Sequence, residues 1–360
     1  MFIFGTGRQI RKMNQGIAAA LAAALLFGAG TPLAKLLLEH AGPWLLAALL
    51  YLGSGVGLWL LRRVRRAPAA QRAHGDRRWL AGAIVSGGVV APVLFMTGLT
   101  AMPASGAALL LNAEGAFTAL LAWFVFKEHF DRRIALGMLA IVAGAVALSW
   151  PVDGAVELAR LWPAVAVLGA CLAWAIDNNL TRKVALSDAS YIAMVKGLTA
   201  GATNLVLALG LGAAWPGAVS VIGAALVGFL SYGASLTLFV VALRHLGAGR
   251  TVAYFSVAPF FGAVLALALL GEPVTAQLLF GGALMGVGVV LHATERHVHE
   301  HAHEALEHAH AHVHGADDPH HDHAHDEPVP PGTRHSHRHG HLPMRHAHAH
   351  FPDAHHRHDH

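Results

Sequence analysis

A single carboxylate lies in the middle of a long apolar run, and it is the residue best suited to ion chemistry in this chain. Glu114 falls within NAEGAFTALLAWFVF. In a membrane span, an ionised carboxylate at this depth costs at least about 2.5 kcal/mol, so it is expected to face a cavity or a partner. There it can bind a proton or cation from one side and release it to the other. The alternative is a structural acid hydrogen-bonded through Asn112 or a backbone carbonyl.

Two further charged residues lie inside apolar runs and have competing interpretations. Lys196 pairs with Glu114 or with a substrate carboxylate, or its long stem carries the ammonium group to the membrane surface. Asp177, followed by two asparagines, is a second candidate for the pathway. The alternative is an interfacial residue paired with Arg182 or Lys183.

Aromatic and basic residues near span ends give weaker predictions. Trp174 and Tyr232 are candidates for lining a pathway, but such residues also form belts at membrane interfaces. Lys35 is expected to extend to the outer membrane surface. Glu128 and Glu272, at corresponding helix ends, are expected to anchor loops through hydrogen bonds.

The last 66 residues differ in character from everything before them. From Glu295 to His360 the chain has 23 His and 11 acidic residues, with few large apolar side chains, so it is predicted to be a disordered tail. Closely spaced imidazoles with acidic neighbours can chelate Zn, Ni, Co or Cu, although no metal is required by the sequence. The candidate metal ligands are His297, His299, His301, His303, His308, His310, His312, His314, His320, His321, His323 and His325.

The body of the chain has the composition of a membrane protein. The whole sequence is 55% hydrophobic and only 13% charged, and its one cysteine, Cys171, excludes a disulfide framework. About 20 apolar residues are needed to cross a bilayer as a helix. This length predicts ten transmembrane helices in an all-α fold. The predicted spans are 16–38, 43–61, 79–100, 104–126, 134–150, 162–180, 189–211, 217–243, 251–270 and 274–292.

Basic residues predict the orientation of these spans. Lys and Arg concentrate before span 1 and in alternate loops, most densely in RRVRRAPAAQRAHGDRR between spans 2 and 3. The positive-inside rule places those loops in the cytoplasm. We therefore expect a multi-pass protein of the inner or plasma membrane with both termini, including residues 1–15, cytoplasmic.

An internal repeat divides the body into two halves, 16–150 and 162–292. Shifting the sequence by 144 residues aligns spans 4 and 5 with spans 9 and 10 without a gap, and superposes Glu128 on Glu272. Basic residues exchange loops between the copies: Lys127 corresponds to Gly271, whereas Gly106 corresponds to Arg250. Two five-helix units in tandem insert with opposite orientation. The sequence thus predicts two inverted five-helix repeats with a substrate site near the midplane.

The motifs of these spans resemble the EamA family of the drug/metabolite transporter superfamily. They are LFGAGTPLAK, NAEGAFTALLAWFVFKE, LAWAIDNNLTRK and VAPFFGAVLALALLGE, in that order over residues 15–292. The family usually has an acid followed by proline in span 4. Here Glu114 is followed by Gly115, while span 9 has Pro259 after Ala258. The resemblance implies a ten-helix secondary carrier of metabolites or drugs, often coupled to ions.

The predicted function is export of a small organic solute by alternating access, with proton or cation coupling through Glu114. No enzyme motif occurs in the short loops, and neither catalysis nor nucleic-acid binding is expected. One alternative is divalent-metal efflux with the tail as collector. Another is a metal-responsive membrane protein that does not transport. The expected partners are the lipid bilayer, the solute, a coupling ion and metal ions at the tail; the sequence leaves a homodimer open.

Overall fold

The protein divides into two units, Met1–Glu295 and Arg296–His360, each taken separately below. The structure is a computed structural model. It describes residues 4–67, 77–126, 132–150, 158–182, 189–246, 248–294, 297–303, 306–313, 334–341 and 344–350.

The regular secondary structure of the first unit is all helical within the described residues. Its helices, with the two π-helical segments written π1 and π2, are α1 (Phe4–Leu37), α2 (Pro43–Val64), α3 (Arg77–Ala83), π1 (Ile84–Val90), α4 (Ala91–Thr100), α5 (Ala104–Leu110), α6 (Ala113–Phe126), α7 (Arg132–Ser149), α8 (Leu158–Arg182), α9 (Ala189–Gly210), α10 (Ala218–Gly228), π2 (Phe229–Ala234), α11 (Ser235–Leu246), α12 (Ala248–Phe255), α13 (Ala258–Leu270) and α14 (Ala276–Ala293). Within the described residues, ten helical stretches are long and apolar enough to cross a membrane. The predicted number of spans is therefore confirmed.

Four of these spans are not the uninterrupted α-helices that the sequence predicts. Spans 3 and 8 each contain a wide π-helical turn, and spans 4 and 9 each break into two helices, at residues 111–112 and 256–257. Each irregularity recurs within one residue of the 144-residue shift, so it belongs to the repeat. The break in span 4 forms without proline. There the Asn112 amide and backbone N–H both donate to Leu109 O, at 2.8 and 3.0 Å, which ends α5.

Packing between the halves pairs equivalent helices. Helix α7 packs against α14, and α2 against α9, each pair being related by the repeat. A methyl group on Gly144 would lie 2.8 Å from Gly281 O, and one on Gly137 would lie 3.0 Å from Gly288 O. The contacts run in opposite order along the two helices, so α7 and α14 are antiparallel. Glycine allows this close approach of the backbones.

The second unit contains four strands within its described residues. They are β1 (His297–His303), β2 (Leu306–Val313), β3 (Arg334–His341) and β4 (Met344–His350). Strands β1 and β4 pair antiparallel, as do β2 and β3. The predicted disorder of the whole tail stays a prediction. Histidine alternates with other residues along these strands, which matches the two-residue period of a strand.

Candidate transport site

Glu114 lies at the break of span 4. It occupies the first turn of α6, where the N-terminal end of a helix favours a negative charge. Its Oε1 accepts a hydrogen bond of 2.8 Å from Asn178 Nδ2 of α8, a helix of the other repeat. Within the described residues the carboxylate forms no ion pair. The site therefore contains an acid that is held by a neutral donor.

The predicted partner Asn112 does not contact Glu114. Its side chain is buried and donates to Leu109 O, with a further contact of 3.9 Å to Met285 Sδ. The amide donates to the carbonyl group at the end of α5, and no hydrogen bond joins it to Glu114 among the described residues. Asn178, the residue that does bind Glu114, follows Asp177 in sequence.

Asn178 and Asn179 tie α8 to α6. Asn178 Nδ2 also lies 3.5 Å from Thr118 Oγ1, one turn beyond Glu114. Asn179 Nδ2 donates to Ala175 O at 2.9 Å within its own helix and lies 3.4 Å from Thr118 O. The consecutive asparagines therefore link one half-helix of the first repeat to the second repeat.

Asp177 and Lys196 form a salt bridge between α8 and α9. Lys196 Nζ lies 2.5 and 2.6 Å from the two carboxylate oxygens, and Thr181 Oγ1 donates to the same carboxylate at 2.8 Å. Both side chains are largely buried, with 17% and 8% of their surface exposed. The prediction that Lys196 pairs with Glu114 or reaches the surface is wrong, because its ammonium group is paired with the Asp177 carboxylate inside the protein. Arg182 and Lys183 side chains lie outside the described residues.

The salt bridge packs against the π-helical segment of span 3. A methyl group on Gly87 would overlap the carboxylate of Asp177, so only glycine leaves room for that contact. Gly87 O, freed by the wide turn, accepts hydrogen bonds from Tyr51 OH at 2.7 Å and Trp174 Nε1 at 3.0 Å. These side chains satisfy a backbone group that a regular helix would bind itself.

Aromatic rings are in contact between Tyr51, which binds Gly87 O, and Tyr232 in π2. Tyr51 and Tyr232 have ring centroids 5.9 Å apart, and Tyr232 lies edge-on to Phe27 at 6.0 Å. Trp174 also packs against Phe95 at 5.6 Å. Trp174 and Tyr232 are therefore part of an internal aromatic cluster, in which Tyr51 joins them.

Asn204 is a polar residue for which the sequence gives no specific role. It is fully buried in α9 and donates from Nδ2 to Gly88 O at 2.9 Å. Its Oδ1 is the one buried side-chain atom without a hydrogen-bond partner in the described part of the chain. An asparagine within an apolar run was the available signal, as it was for Asn178.

Lys35 and Glu272 have structural contacts at helix ends. Lys35 Nζ donates to Leu99 O at 2.6 Å and Met102 O at 3.1 Å, near the end of α4, and its extension to the outer membrane surface stays a prediction. Glu272 accepts from the N–H groups of Ala104 and Ser105, at 2.6 and 2.9 Å, which confirms it as an anchor. Glu128 lies outside the described residues.

The side chains of the predicted tail ligands all lie outside the described residues. Five of the twelve histidines, from His314 onwards, lie outside the described residues, and so do the side chains of the other seven. Metal binding at the tail stays a prediction. In the part of the chain that the structure describes, no group of three His, Cys, Asp or Glu side chains is placed to hold a metal ion.

Comparison with known proteins agrees with this architecture. The model of the EamA-like transporter family matches twice, over residues 14–150 and 161–294. An uncharacterized transporter of Methanothermobacter thermautotrophicus (strain Delta H) is 29% identical over 294 residues, covering 77% of this chain and 85% of the relative. A solved structure described only as a crystal structure of a protein has a TM-score of 0.57 at 18% identity. It covers 76% of this chain and 95% of that one, and shows a shared fold.

The two family matches correspond to the two repeats and together cover most of the chain. The protein is therefore a multi-pass membrane transporter of small solutes, not an enzyme, and the chain belongs to the EamA-like transporter family.

Proposed function

We propose that the protein is a secondary active transporter that exports a small organic solute by alternating access. Glu114 is the group that binds the coupling proton or cation. The solute binds beside it, between the two repeats, where the aromatic cluster of Tyr51, Trp174 and Tyr232 provides apolar contact surface.

The observation that carries the proposal is the environment of Glu114. The acid lies at a helix break inside a span and is held across the repeat boundary by Asn178 at 2.8 Å. Broken helices in transporter spans commonly bind ions and substrates at their free ends. Asp177 is neutralised by Lys196, whereas Glu114 has no cation within salt-bridge distance among the described residues. A proton or a small cation can therefore bind to this carboxylate.

The proposed topology has the two repeats inverted across the membrane of the cell, with both termini in the cytoplasm. Antiparallel packing of α7 and α14 supports inversion, since these helices are equivalent in the repeat. The basic residues that exchange loops between the copies support the orientation. Reporter fusions at each terminus test it, and an extracellular terminus would contradict it.

Transport into inverted vesicles tests the role of Glu114. An exporter of this orientation carries solute inward under an imposed proton gradient, with amino acids and other metabolites offered as labelled substrates. Glu114→Gln keeps an oxygen for Asn178 but removes the charge. We expect gradient-driven uptake to fall to background, while exchange of labelled for unlabelled solute without a gradient persists.

Glu272→Gln is the matched control. This residue is another carboxylate near the end of a span, and it binds backbone N–H groups of α5. We expect Glu272→Gln to lower stability and leave the gradient dependence unchanged. Equal loss of gradient-driven uptake in both variants would contradict a specific role for Glu114.

The histidine-rich tail supports a second candidate, efflux of a divalent transition metal. Twenty-three imidazoles in 66 residues favour binding of Zn, Ni, Co or Cu, and the tail then collects or senses the transported ion. The same vesicles distinguish the two. Metal uptake that Glu114→Gln abolishes would establish metal efflux. If deleting residues 295–360 leaves organic-solute transport unchanged, the tail is accessory to it, and metal binding without metal uptake favours a sensing role.

A further inference from the structure

The cytoplasm-facing end proposed for α2 carries a dense cluster of positive charge that transport does not use. Four arginines, Arg62, Arg63, Arg65 and Arg66, end this helix and are called here the arginine cluster. Arg63, Arg65 and Arg66 are exposed, and none of these three has a carboxylate within salt-bridge distance among the described residues. Arg63, Arg65 and Arg66 therefore present a positively charged surface.

Aromatic rings hold two of these guanidinium groups in place. The Arg63 guanidinium carbon lies 5.2 Å from the ring centroid of Trp59, one turn earlier in α2. Arg62 lies 5.6 Å from the ring of Tyr191 in α9, and its Nη1 donates to Ser190 Oγ at 2.5 Å. The cation–π contact of Arg63 leaves the edge of its guanidinium group available for further hydrogen bonds.

An exposed apolar stripe leads directly to the cluster. Val56, Trp59, Leu60 and Val64 are 44%, 42%, 51% and 81% exposed. Their spacing of three, one and four residues places them on one face of α2, and Arg63 shares that face. A helix face with apolar side chains along its length and an arginine at its end matches an acyl chain joined to a charged headgroup.

Arg66 has an unfavourable backbone conformation. Its φ of 48° lies in the left-handed region, which costs an L-residue other than glycine about 1–2 kcal/mol. The turn is fixed by Ala67 N–H donating to Arg62 O at 3.0 Å. Glycine would suit this position better. Strain of this kind is often found at ligand-binding sites.

We propose that the arginine cluster and this stripe together bind an anionic phospholipid. The phosphate accepts hydrogen bonds from Arg63 and Arg66, and one acyl chain lies along Val56, Trp59 and Leu60. An anionic headgroup such as phosphatidylglycerol fits because it supplies the negative charge that the described residues lack at this site. The proposal is independent of the transported solute and of Glu114.

Quenching of Trp59 by brominated lipids tests the proposal. The full protein in an uncharged detergent is titrated with phosphatidylglycerol or phosphatidylcholine carrying dibrominated acyl chains. The signal of Trp59 is the difference between the wild type and Trp59→Phe. We expect phosphatidylglycerol to quench at about tenfold lower concentration than phosphatidylcholine. Equal quenching by the two lipids would overturn the proposal.

Three variants separate a specific site from general charge. Arg63→Gln combined with Arg66→Gln should remove the preference for phosphatidylglycerol. Arg132→Gln, at an exposed position beginning α7, should leave it intact. Arg66→Gly should weaken the preference while preserving or raising the melting temperature, because glycine tolerates the backbone conformation. A purely structural arginine would give the opposite result for Arg66→Gly.

Inorganic phosphate distinguishes a lipid from a soluble anion. Added at millimolar concentration, it should not prevent quenching by brominated phosphatidylglycerol, because it lacks the acyl chain that contacts the stripe. Full competition would show a site for free phosphate and overturn the lipid assignment. So would an unchanged lipid preference in the double variant or an equal loss in Arg132→Gln.

Discussion

The two repeats share their backbone irregularities but differ in their polar chemistry. Both have a π-helical turn in the third span and a break in the fourth, at positions that agree with the 144-residue shift to within one residue. The polar residues of the candidate site, Glu114, Asp177 and Lys196, correspond in the other copy to Ala258, Leu33 and Leu52. The backbone irregularities thus occur in both copies. Of the two equivalent sets of positions, only the one with Glu114, Asp177 and Lys196 carries charged side chains.

The largest effect is expected from moving the acid between the repeats. Glu114→Gln should reduce gradient-driven uptake in inverted vesicles to background. Adding Ala258→Glu should not restore it, because the residue corresponding to Asn178 is Ala34, which has no amide to hold a carboxylate. Restored uptake in the double variant would show that the two breaks are chemically interchangeable and would remove the distinction between the halves.

The second largest effect is a loss of stability on breaking the salt bridge between Asp177 and Lys196. Asp177→Asn alone leaves the Lys196 ammonium buried without its partner, and should lower the free energy of unfolding by about 3–5 kcal/mol. Combining it with Lys196→Met removes both charges, as in the other repeat. Most of the loss should then be recovered in chemical unfolding in detergent. Additive losses from the two substitutions would show that the pair does not interact.

The close approach at Gly87 should be sensitive to one methyl group. Gly87→Ala places that group against the Asp177 carboxylate and should cost about 1–3 kcal/mol in the free energy of unfolding. Gly115→Ala is the control, since no atom lies within 4 Å of the added carbon and alanine favours the helix. The two melting temperatures should therefore move in opposite directions.

The smallest effect on stability is expected from removing one of the two side chains that donate to Gly87 O. Trp174→Phe removes the hydrogen bond to Gly87 O, but Tyr51 OH still donates to that oxygen at 2.7 Å. We expect a loss of about 0.5–1 kcal/mol in thermal unfolding. The combination with Tyr51→Phe should lose more than the two single substitutions together, because the carbonyl is then unsatisfied. Simple additivity would indicate that the donors act independently.

The number of spans was predictable because each run of about 20 apolar residues is a local signal. The interruptions were not predictable from such runs. A π-helical turn adds one residue without changing composition, and the break in span 4 depends on where the Asn112 side chain donates. The repeat itself could be identified from the ungapped alignment. Because the two copies are equivalent, an irregularity in one copy recurs in the other.

The candidate site was predictable in residue type and less so in pairing. Glu114 was identified by the cost of a charge in an apolar run, and that signal does not depend on neighbours. The partner of Lys196 depends on how α8 and α9 approach each other. Both Glu114 and Asp177 are acids in apolar runs, so residue type alone does not identify the one that Lys196 binds. Asn178 has no signal beyond its polarity, so its bond to Glu114 required the structure.

The glycine-lined crossing of α7 and α14 has a mechanical consequence. Backbones that touch at two glycine contacts cannot separate without losing both, so this line is expected to remain fixed while other interfaces open. Rocking of one repeat against the other would then turn about α7 and α14 as a fulcrum. Helices far from this axis would travel the greatest distance in each cycle.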